Sequence, residues 1–273
     1  MTEYFLTDIY IYPIKSLGGI RLQHSEVSET GLKFDRQWML VDLEGTFVSQ
    51  RKYHQLSLLQ VGINKEKIIV THKLNQNLRL EFSATAETGK LIPVTVWDDS
   101  CVGMEVSRDV NDWFSSFLGM EVKLVKMVST EPRLVDPRYA NNQEVVSFSD
   151  GYPFLIISQA SLDRLNQQLE QPVLIDRFRP NFVFSGGEAH VEDSFADFQI
   201  RDVIFSAVKP CARCVLVTVD QQSGVKSNEP LKTLASYRTR NKKVMFGQNL
   251  IHKGEDLIAV GDTITILSSK KPI

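Results

Sequence analysis

Short β-type segments follow one another closely through the first hundred residues, and this spacing constrains the fold more than any other feature of the sequence. Seven such runs, rich in β-branched and aromatic residues, are YFLTDIYIYP, RLQHSEV, QWMLVD, LLQVGI, KIIVTH, LRLEF and PVTVW. Strands this close together predict a barrel or a sandwich rather than an array of βαβ units. The stretch LVDLEGTFVSQ predicts a hairpin with Glu44 and Gly45 near its tip.

Three segments have the patterns of helices. The first follows Ser107, a good N-cap, and ends near Gly119. Its apolar residues recur at helical spacing: Val110, Trp113, Phe114 and Phe117. The second follows Ser158 and carries Leu162, Leu165 and Leu169, and the third begins at EPLKTL with Pro230 in its first turn. The expected fold class is therefore α+β, predominantly β, and the polar stretch MVSTEPR places a predicted domain boundary between residues 1–127 and 128–273.

Charge and cysteine content limit the possible partners and the compartment. Lys and Arg total 31 against 33 Asp and Glu, so the net charge of −2 gives no overall field for nucleic acid or an acidic membrane, and any basic site must be local. The sequence has no signal-peptide pattern and no apolar run of membrane-spanning length. Three cysteines, an odd number, fit a reducing cytoplasm better than a disulfide framework. We expect a soluble, cytoplasmic protein that binds neither nucleic acid nor a membrane.

Two of the three cysteines lie in KPCARCVLVTVD, residues 209–220. A structural zinc site needs four nitrogen or sulfur ligands, and Cys101 and five scattered histidines form no second ligand pair. A redox dithiol is expected at a helix N-terminus, whereas VLVTV has the pattern of a strand. Two buried structural cysteines are the remaining interpretation of the motif taken alone.

Alternation along the predicted strand separates the two thiols. If the strand begins near Cys214, the three valines that follow occupy one face and Cys214 points to the opposite, more polar side. Cys211 lies an odd number of residues away and would point elsewhere. The spacing therefore predicts one functional thiol, with Arg213 available to lower a thiol pKa or to bind an anion.

Several ordered motifs resemble those of one known family. KPCARCVLVTVD, EPLKTLASYR, FGQNL and VGDTITIL resemble the C-terminal part of MOSC-domain proteins, and the similarity continues upstream through YPIKSLGGI, FDRQWMLVD, SFSDGYPFLIIS and RFRPNFVFSGG. The sequence is similar to the branch of this family that includes the mitochondrial amidoxime reducing component and its bacterial homologues. The resemblance implies a MOSC β-barrel domain, an N-terminal MOSC-type β domain, and a molybdenum cofactor (Mo-molybdopterin) held between the two.

The resemblance also implies roles for particular residues. In this family the second cysteine of the CxRC motif ligates molybdenum, which points to Cys214 and agrees with the alternation argument. The positions expected to bind the phosphate or pterin of the cofactor are Lys15, Ser16, Arg36, Arg179 and Asn181.

Asp150 matches a family position near the metal, where a carboxylate can orient substrate or pass a proton, although Asp followed by Gly is also a common turn. Three further residues are expected to line the same site, namely Gly151, Arg213 and Thr218.

The function that the resemblance implies is the reduction of N-hydroxylated small molecules: amidoximes, hydroxylamines and N-hydroxylated nucleobases. Three cysteines cannot hold a four-cysteine iron–sulfur cluster, so we expect a separate flavin or iron–sulfur protein to donate the electrons. One alternative is a sulfur or cofactor carrier, as at the end of molybdenum cofactor sulfurases, although no pyridoxal phosphate domain is visible. The other is a metal-free protein that binds anionic ligands through Lys15, Arg36 and Arg179.

Overall fold

The computed structural model describes residues 2–140 and 142–272, and all structural statements below refer to these residues. The strands are β1 (Tyr4–Ile11), β2 (Ile20–Leu22), β3 (His24–Ser28), β4 (Gly31–Leu32), β5 (Trp38–Val41), β6 (Leu59–Asn64), β7 (Lys67–His72), β8 (Asn75–Ser83), β9 (Leu91–Val96), β10 (Asp99–Glu105), β11 (Lys123–Met127), β12 (Arg133–Leu134), β13 (Val145–Val146), β14 (Phe154–Ser158), β15 (Phe182–Ser185), β16 (Phe195–Ile200), β17 (Val203–Arg213), β18 (Thr239–Arg240), β19 (Lys243–Lys253), β20 (Leu257–Ala259) and β21 (Thr263–Ser269). The α-helices are α1 (Arg108–Leu118), α2 (Gln159–Asn166) and α3 (Leu231–Arg238), and the 3-10 helices are His54–Leu58, Ile175–Arg177, Val191–Ser194 and Val215–Thr218.

Seven strands close a barrel in the order β14, β15, β1, β21, β16, β17 and β19. Closure occurs because β14 pairs with β15 in parallel on one side and with β19 antiparallel on the other. Phenylalanines fill the interior: Phe154 stacks on Phe182 with 5.3 Å between ring centroids, and Phe198 stacks on Phe205 at 5.4 Å. The predicted barrel and the predominantly β fold class are confirmed.

A second core lies beside the barrel. It is built from strands β5 and β11, the sheet β6-β7-β8 and helix α1. Trp38, Leu40 and Phe114 are fully buried within it. The chain passes between the two cores directly after β1, which belongs to the barrel, because Ile14 and Leu17 pack in the second core. The boundary between residues 127 and 128 stays a prediction.

The predicted helices and the hairpin turn are confirmed. The Ser107 hydroxyl accepts a hydrogen bond from the Val110 amide at 3.3 Å, and Gly119 ends α1 in the left-handed conformation. Ser158 caps α2 through the Ala160 amide at 3.1 Å. Leu169 lies beyond the end of α2, yet it packs against the same apolar cluster as Leu162 and Leu165. In the hairpin, the Asp42 carboxylate accepts hydrogen bonds from the backbone amides of Glu44 and Thr46.

The prediction of a strand after the cysteine pair is wrong. The strand β17 contains Cys211 and ends at Arg213, just before Cys214, and residues Val215–Thr218 form a 3-10 helix. The Thr218 hydroxyl donates to the Val215 carbonyl at 2.7 Å, which stabilises this turn. Val215 is 44% exposed while Val217 is buried, so the valines do not share one face. These residues favour a strand, but they form a turn here because the chain leaves the barrel at this point.

A buried carboxyl group predicts how stability depends on pH. Glu192 is fully buried under α2, where its two carboxyl oxygens accept hydrogen bonds from the Ser161 hydroxyl at 2.8 and 2.9 Å. Burial raises the pKa of Glu192 from 4.5 to about 7. A raised folded-state pKa means that the stabilising contribution is complete below the unfolded pKa and is lost as the pH rises through the folded pKa.

The free energy of unfolding of Glu192→Gln relative to that of wild type is therefore expected to rise by about 3 kcal/mol between pH 4.5 and pH 8, because only the wild type has a carboxyl group that must ionise there. Urea unfolding of both proteins across this pH range measures the difference. A difference between the two proteins that does not change with pH would contradict the assignment.

Candidate functional site

A cavity of about 290 Å³ lies where the barrel meets the N-terminal sheets. Its walls come from the loop after β1, the segment following the hairpin, the loop that enters β14, the segment before β15 and the end of β17. Nine of the ten residues predicted from the sequence line it: Lys15, Ser16, Arg36, Asp150, Gly151, Arg179, Asn181, Arg213 and Cys214. The fold thus brings together motifs that are as much as 199 positions apart, from Lys15 to Cys214.

The cavity is strongly positive in a chain whose net charge is only −2. One carboxylate, that of Asp150, faces seven cationic side chains: Lys15, Arg36, Arg51, Arg177, Arg179, Lys209 and Arg213. Three of these cations have an ion-pair partner, since Lys15 pairs with Asp150, Arg36 with Asp35 and Arg177 with Asp220. The other four have no carboxylate partner among the described residues. Clustered, partly desolvated cations of this kind favour an anionic ligand.

Lys15 and Asp150 form an ion pair at one wall of the cavity. The buried Lys15 ammonium lies 2.5 Å from the Asp150 carboxylate and donates to the Phe148 carbonyl at 2.7 Å. The Asp150 side chain is 73% exposed and also accepts a hydrogen bond from the Trp97 indole at 3.1 Å. The protein surrounding the cavity opposes ionisation of Asp150 even though its side chain is open to solvent, but the Lys15 ammonium and the Trp97 indole hold the pKa of Asp150 well below its usual range. Asp150 is therefore a carboxylate at neutral pH.

Arg36 is held by a buried polar network. Its guanidinium donates to the Asp35 carboxylate at 2.6 Å and to the Asn181 side-chain oxygen at 3.2 Å. The Asn181 amide nitrogen in turn donates to Asp35 and to the Tyr10 carbonyl, and its oxygen also accepts from the Leu155 amide. Because protein groups use all four hydrogen bonds of this side chain, Asn181 orients Arg36 rather than offering a free amide to a ligand.

Arg36 and Arg179 share one aromatic support. Their guanidinium carbons lie 4.3 and 4.1 Å from the centroid of the buried Tyr12 ring. Burial lowers the pKa of Arg179 to about 10, and the nearby positive charge of Arg36 acts in the same direction. Ser16, Arg36 and Arg179 all have positive φ angles, of 72°, 49° and 53°. Backbone strain of this kind concentrates at functional sites, and here it occurs at these three residues and at Trp97, which line the same cavity.

The two cysteines of the motif differ in environment. Cys214 is exposed at the cavity, whereas Cys211 is half-buried and packs against an apolar cluster that includes Phe178 and Phe246. Burial raises the pKa of the Cys211 thiol. Between them, Arg213 donates to the Phe246 carbonyl at 2.8 Å and to the Phe178 carbonyl at 2.9 Å. The two thiols thus have different environments because β17 ends between them, at Arg213. The predicted alternation of side chains along a strand after Cys214 is not the cause.

The remaining guanidinium nitrogen of Arg213, Nη2, is buried and has no hydrogen-bond partner within the described ranges. An unpaired buried donor on a cation is costly, so the site lacks a group that would accept this hydrogen bond.

Thr218 is not part of the cavity wall. It is buried, and its hydroxyl is used inside the 3-10 helix. The expectation from the family resemblance that Thr218 lines the site therefore has no support from its position in the structure.

Sequence reasoning missed an aromatic and cationic cluster at the cavity. The Arg51 guanidinium stacks 3.8 Å from the centroid of the Trp97 ring and 5.6 Å from that of Phe47. Trp97 is 43% exposed and has a φ angle of 60°. The available signal was a tryptophan that ends the strand-like run PVTVW and is followed directly by two aspartates, Asp98 and Asp99.

No group of three or more His, Cys, Asp or Glu side chains in residues 2–140 and 142–272 is arranged to hold a metal ion. Among the helices that the structure describes, none is long and apolar enough to cross a membrane.

Comparison with known proteins agrees with this architecture. The family model for the MOSC N-terminal beta barrel domain matches residues 4–121, and the model for the MOSC domain matches residues 143–265. Mitochondrial amidoxime-reducing component 1 of mouse is 33% identical over 282 residues, which cover 96% of this chain and 82% of that protein. The human component 1 is 32% identical with the same coverage. The molybdenum cofactor sulfurase of Arabidopsis thaliana is 30% identical over 291 residues, which cover 96% of this chain and 35% of the sulfurase.

The two family models cover the strands that form the cavity walls on both sides, and the relatives match across nearly the whole chain. The chain belongs to the family of MOSC-domain proteins, with a MOSC N-terminal beta barrel domain followed by a MOSC domain.

Proposed function

We propose that this protein is an enzyme that binds the molybdenum cofactor in the positively charged cavity and reduces N-hydroxylated compounds. The observation that carries the proposal is an exposed thiol, Cys214, at a cavity where seven cations face one carboxylate. The substrates we propose are amidoximes, hydroxylamines and N-hydroxylated nucleobases. The similarity to amidoxime-reducing components over 96% of the chain supports this choice.

The residues present fit an anionic, metal-bearing cofactor. Arg213 Nη2 lacks an acceptor, and no protein group among the described residues hydrogen-bonds the Ser16 hydroxyl, so both are available to oxygen atoms of a phosphate or pterin. The buried charge of Arg179 would be offset by the same anion. A cysteine thiolate is a suitable ligand for molybdenum, and the sulfur atoms of the cofactor would complete a site for which the described residues supply only Cys214.

When bound, the cofactor supplies a two-electron reduction that breaks the N–O bond of the substrate. The chain supplies position and charge. Asp150, ionised beside Lys15, can accept a hydrogen bond from an N–H group of the substrate and so orient it; its low pKa argues against its serving as the proton donor. We propose that a separate flavin or iron–sulfur protein delivers the electrons.

Turnover with a chemical electron donor tests the reductase proposal directly. Protein produced in a host that makes the cofactor is mixed with a low-potential reductant and an aromatic amidoxime, and the amidine product is measured by chromatography. The expected result is amidine formation in proportion to bound molybdenum. The control is the same protein from a host that cannot make the cofactor, for which no product above background is expected. Molybdenum-loaded protein that forms no amidine would contradict the reductase proposal.

One observation favours a second function, that of a sulfur or cofactor carrier. The Arabidopsis sulfurase is similar to almost the whole chain, and Cys214 is exposed enough to carry a persulfide. A persulfide on Cys214 in the intact-protein mass spectrum, together with absent amidine formation, would favour this function over reduction.

A further inference from the structure

Arg133 is a buried arginine that lies outside the cavity wall but contacts the loop that forms it. Its side chain is only 3% exposed, at the start of β12. One side of the guanidinium binds the Asp99 carboxylate at 2.6 Å. Its remaining N–H groups donate to three carbonyls of a single loop, those of Ser147 at 3.1 Å, of Ser149, and of Asp150 at 3.1 Å.

The loop that Arg133 holds is the one that presents Asp150 to the cavity. Its Phe148 carbonyl and its Asp150 carboxylate together bind the Lys15 ammonium. Arg133 therefore binds the backbone of residues 147–150, while Lys15 binds the same loop from the cavity side. Without Arg133 the loop would keep the contacts of Phe148 with Lys15 and with the Arg36 carbonyl, but the carbonyls of Ser147, Ser149 and Asp150 would lose the donor that binds them.

Arg133 also connects this loop to the aromatic cluster. Asp99, its ion-pair partner, lies two residues after Trp97, and the Trp97 indole donates to the Asp150 carboxylate. Two links therefore join the turn at residues 97–99 to the loop at residues 147–150. One is the hydrogen bond from Trp97 to Asp150, and the other is the bridge from Asp99 through Arg133.

The contacts require the geometry of arginine. A planar guanidinium presents five donors in a fixed fork and can serve a carboxylate and several carbonyls at once, whereas a lysine ammonium has three donors on a single nitrogen. We propose that Arg133 is a positioning residue: it fixes the Asp150 carboxylate, and through the Phe148 carbonyl the Lys15 ammonium, in the geometry that the site needs. The expected effect of Arg133 on catalysis rests on the proposed function. Its effect on the positions of Asp150 and Lys15 does not, because these contacts form without a cofactor.

The indole N–H signal of Trp97 reports this geometry in solution. The chain has three tryptophans, so the indole region of a proton–nitrogen NMR spectrum contains three signals, and Trp97→Phe identifies the one that belongs to Trp97. In Arg133→Lys we expect the Trp97 indole proton to shift upfield and to exchange faster with water, because Asp150 is no longer held against it. Asp150→Asn should move the same signal. The signals of Trp38 and Trp113 should stay in place.

The matched control is another largely buried, ion-paired arginine that neither lines the cavity nor contacts the loop at residues 147–150. Arg238 is 12% exposed in its side chain, pairs with Asp193 and donates to the Met245 carbonyl at 3.1 Å. Arg238→Lys is expected to alter thermal stability without moving the Trp97 signal. If Arg133→Lys does not fold, Asp99→Asn provides the test, because the Asp99 side chain is 48% exposed and its change is mild.

In cofactor-loaded protein, we expect kcat per bound molybdenum to fall about 10- to 100-fold in Arg133→Lys, with a smaller change in molybdenum content. An unchanged Trp97 signal in a folded Arg133→Lys or Asp99→Asn variant would overturn the positioning role. Absence of molybdenum in the wild type would instead contradict the proposed function, and it would leave the NMR result to decide the role of Arg133.

Discussion

Replacing Cys214 with alanine is expected to lower the reduction of N-hydroxylated substrates by at least about 100-fold, whereas Cys211→Ala retains most of the activity. The two cysteines are three positions apart and both border the cavity, so they form a closely matched pair. Cys214 is exposed there, while Cys211 is half-buried and contributes to an apolar cluster. Only the exposed thiol is placed to bind a metal without disturbing the core.

The measurement is the rate of amidine formation per folded protein, with thermal unfolding of both variants as the control for folding. Cys211→Ala should lower the unfolding temperature somewhat, because it removes a packed side chain. Cys214→Ala should leave that temperature nearly unchanged in cofactor-free protein. Equal losses of activity from both substitutions, with both variants folded, would contradict the assignment of a single functional thiol.

The second large effect concerns Arg179. Arg179→Gln is expected to reduce cofactor occupancy by about 10-fold or more, while the free energy of unfolding of the cofactor-free protein changes by less than about 1 kcal/mol. The charged guanidinium is buried beside the like charge of Arg36, which is why its pKa is lowered to about 10. In the absence of an anion this charge does not stabilise the fold. Glutamine removes the charge and retains an N–H donor, which is the type of group that the Leu17 carbonyl now accepts from Arg179 at 2.7 Å.

Arg177→Gln is the matched comparison, because Arg177 borders the same cavity but its charge is already paired with Asp220 at 2.7 Å. A smaller loss of occupancy is expected for this variant. Molybdenum content and urea unfolding of the two variants provide both readouts. Full occupancy in Arg179→Gln would remove Arg179 from the cofactor site.

The fold could be predicted from local patterns where local forces decide the outcome. Closely spaced β-type runs predicted a barrel or a sandwich. The N-cap Ser107 and the terminal Gly119 predicted both ends of α1 to within one residue. The run VLVTV shows where such patterns fail. Its residues favour a strand, but the chain has to leave the barrel after Arg213, and a 3-10 helix stabilised by Thr218 results. The sequence of the run does not indicate that its tertiary context overrides its preference for a strand.

The site could be predicted where its residues lie in short motifs. Lys15, Arg36 and Arg179 belong to loops with recognisable neighbours. Arg133 and Arg51 do not, because their importance comes from partners distant in sequence: Arg133 binds carboxylate and carbonyl groups as far away as Asp99, and Arg51 stacks on Trp97. Likewise, only the folded structure shows that protein groups use all the hydrogen bonds of the Asn181 side-chain amide.

The central claim is that the cavity binds the molybdenum cofactor through Cys214, and metal content tests it most directly. Wild-type protein and Cys214→Ala are purified from a host that makes abundant cofactor, and molybdenum is measured by mass spectrometry alongside the fluorescent pterin released on oxidation. We predict nearly one molybdenum and one pterin per wild-type chain, and a sharp fall in molybdenum in the variant. Wild-type protein with neither molybdenum nor pterin, from a host whose other molybdenum enzymes are loaded, would contradict the claim.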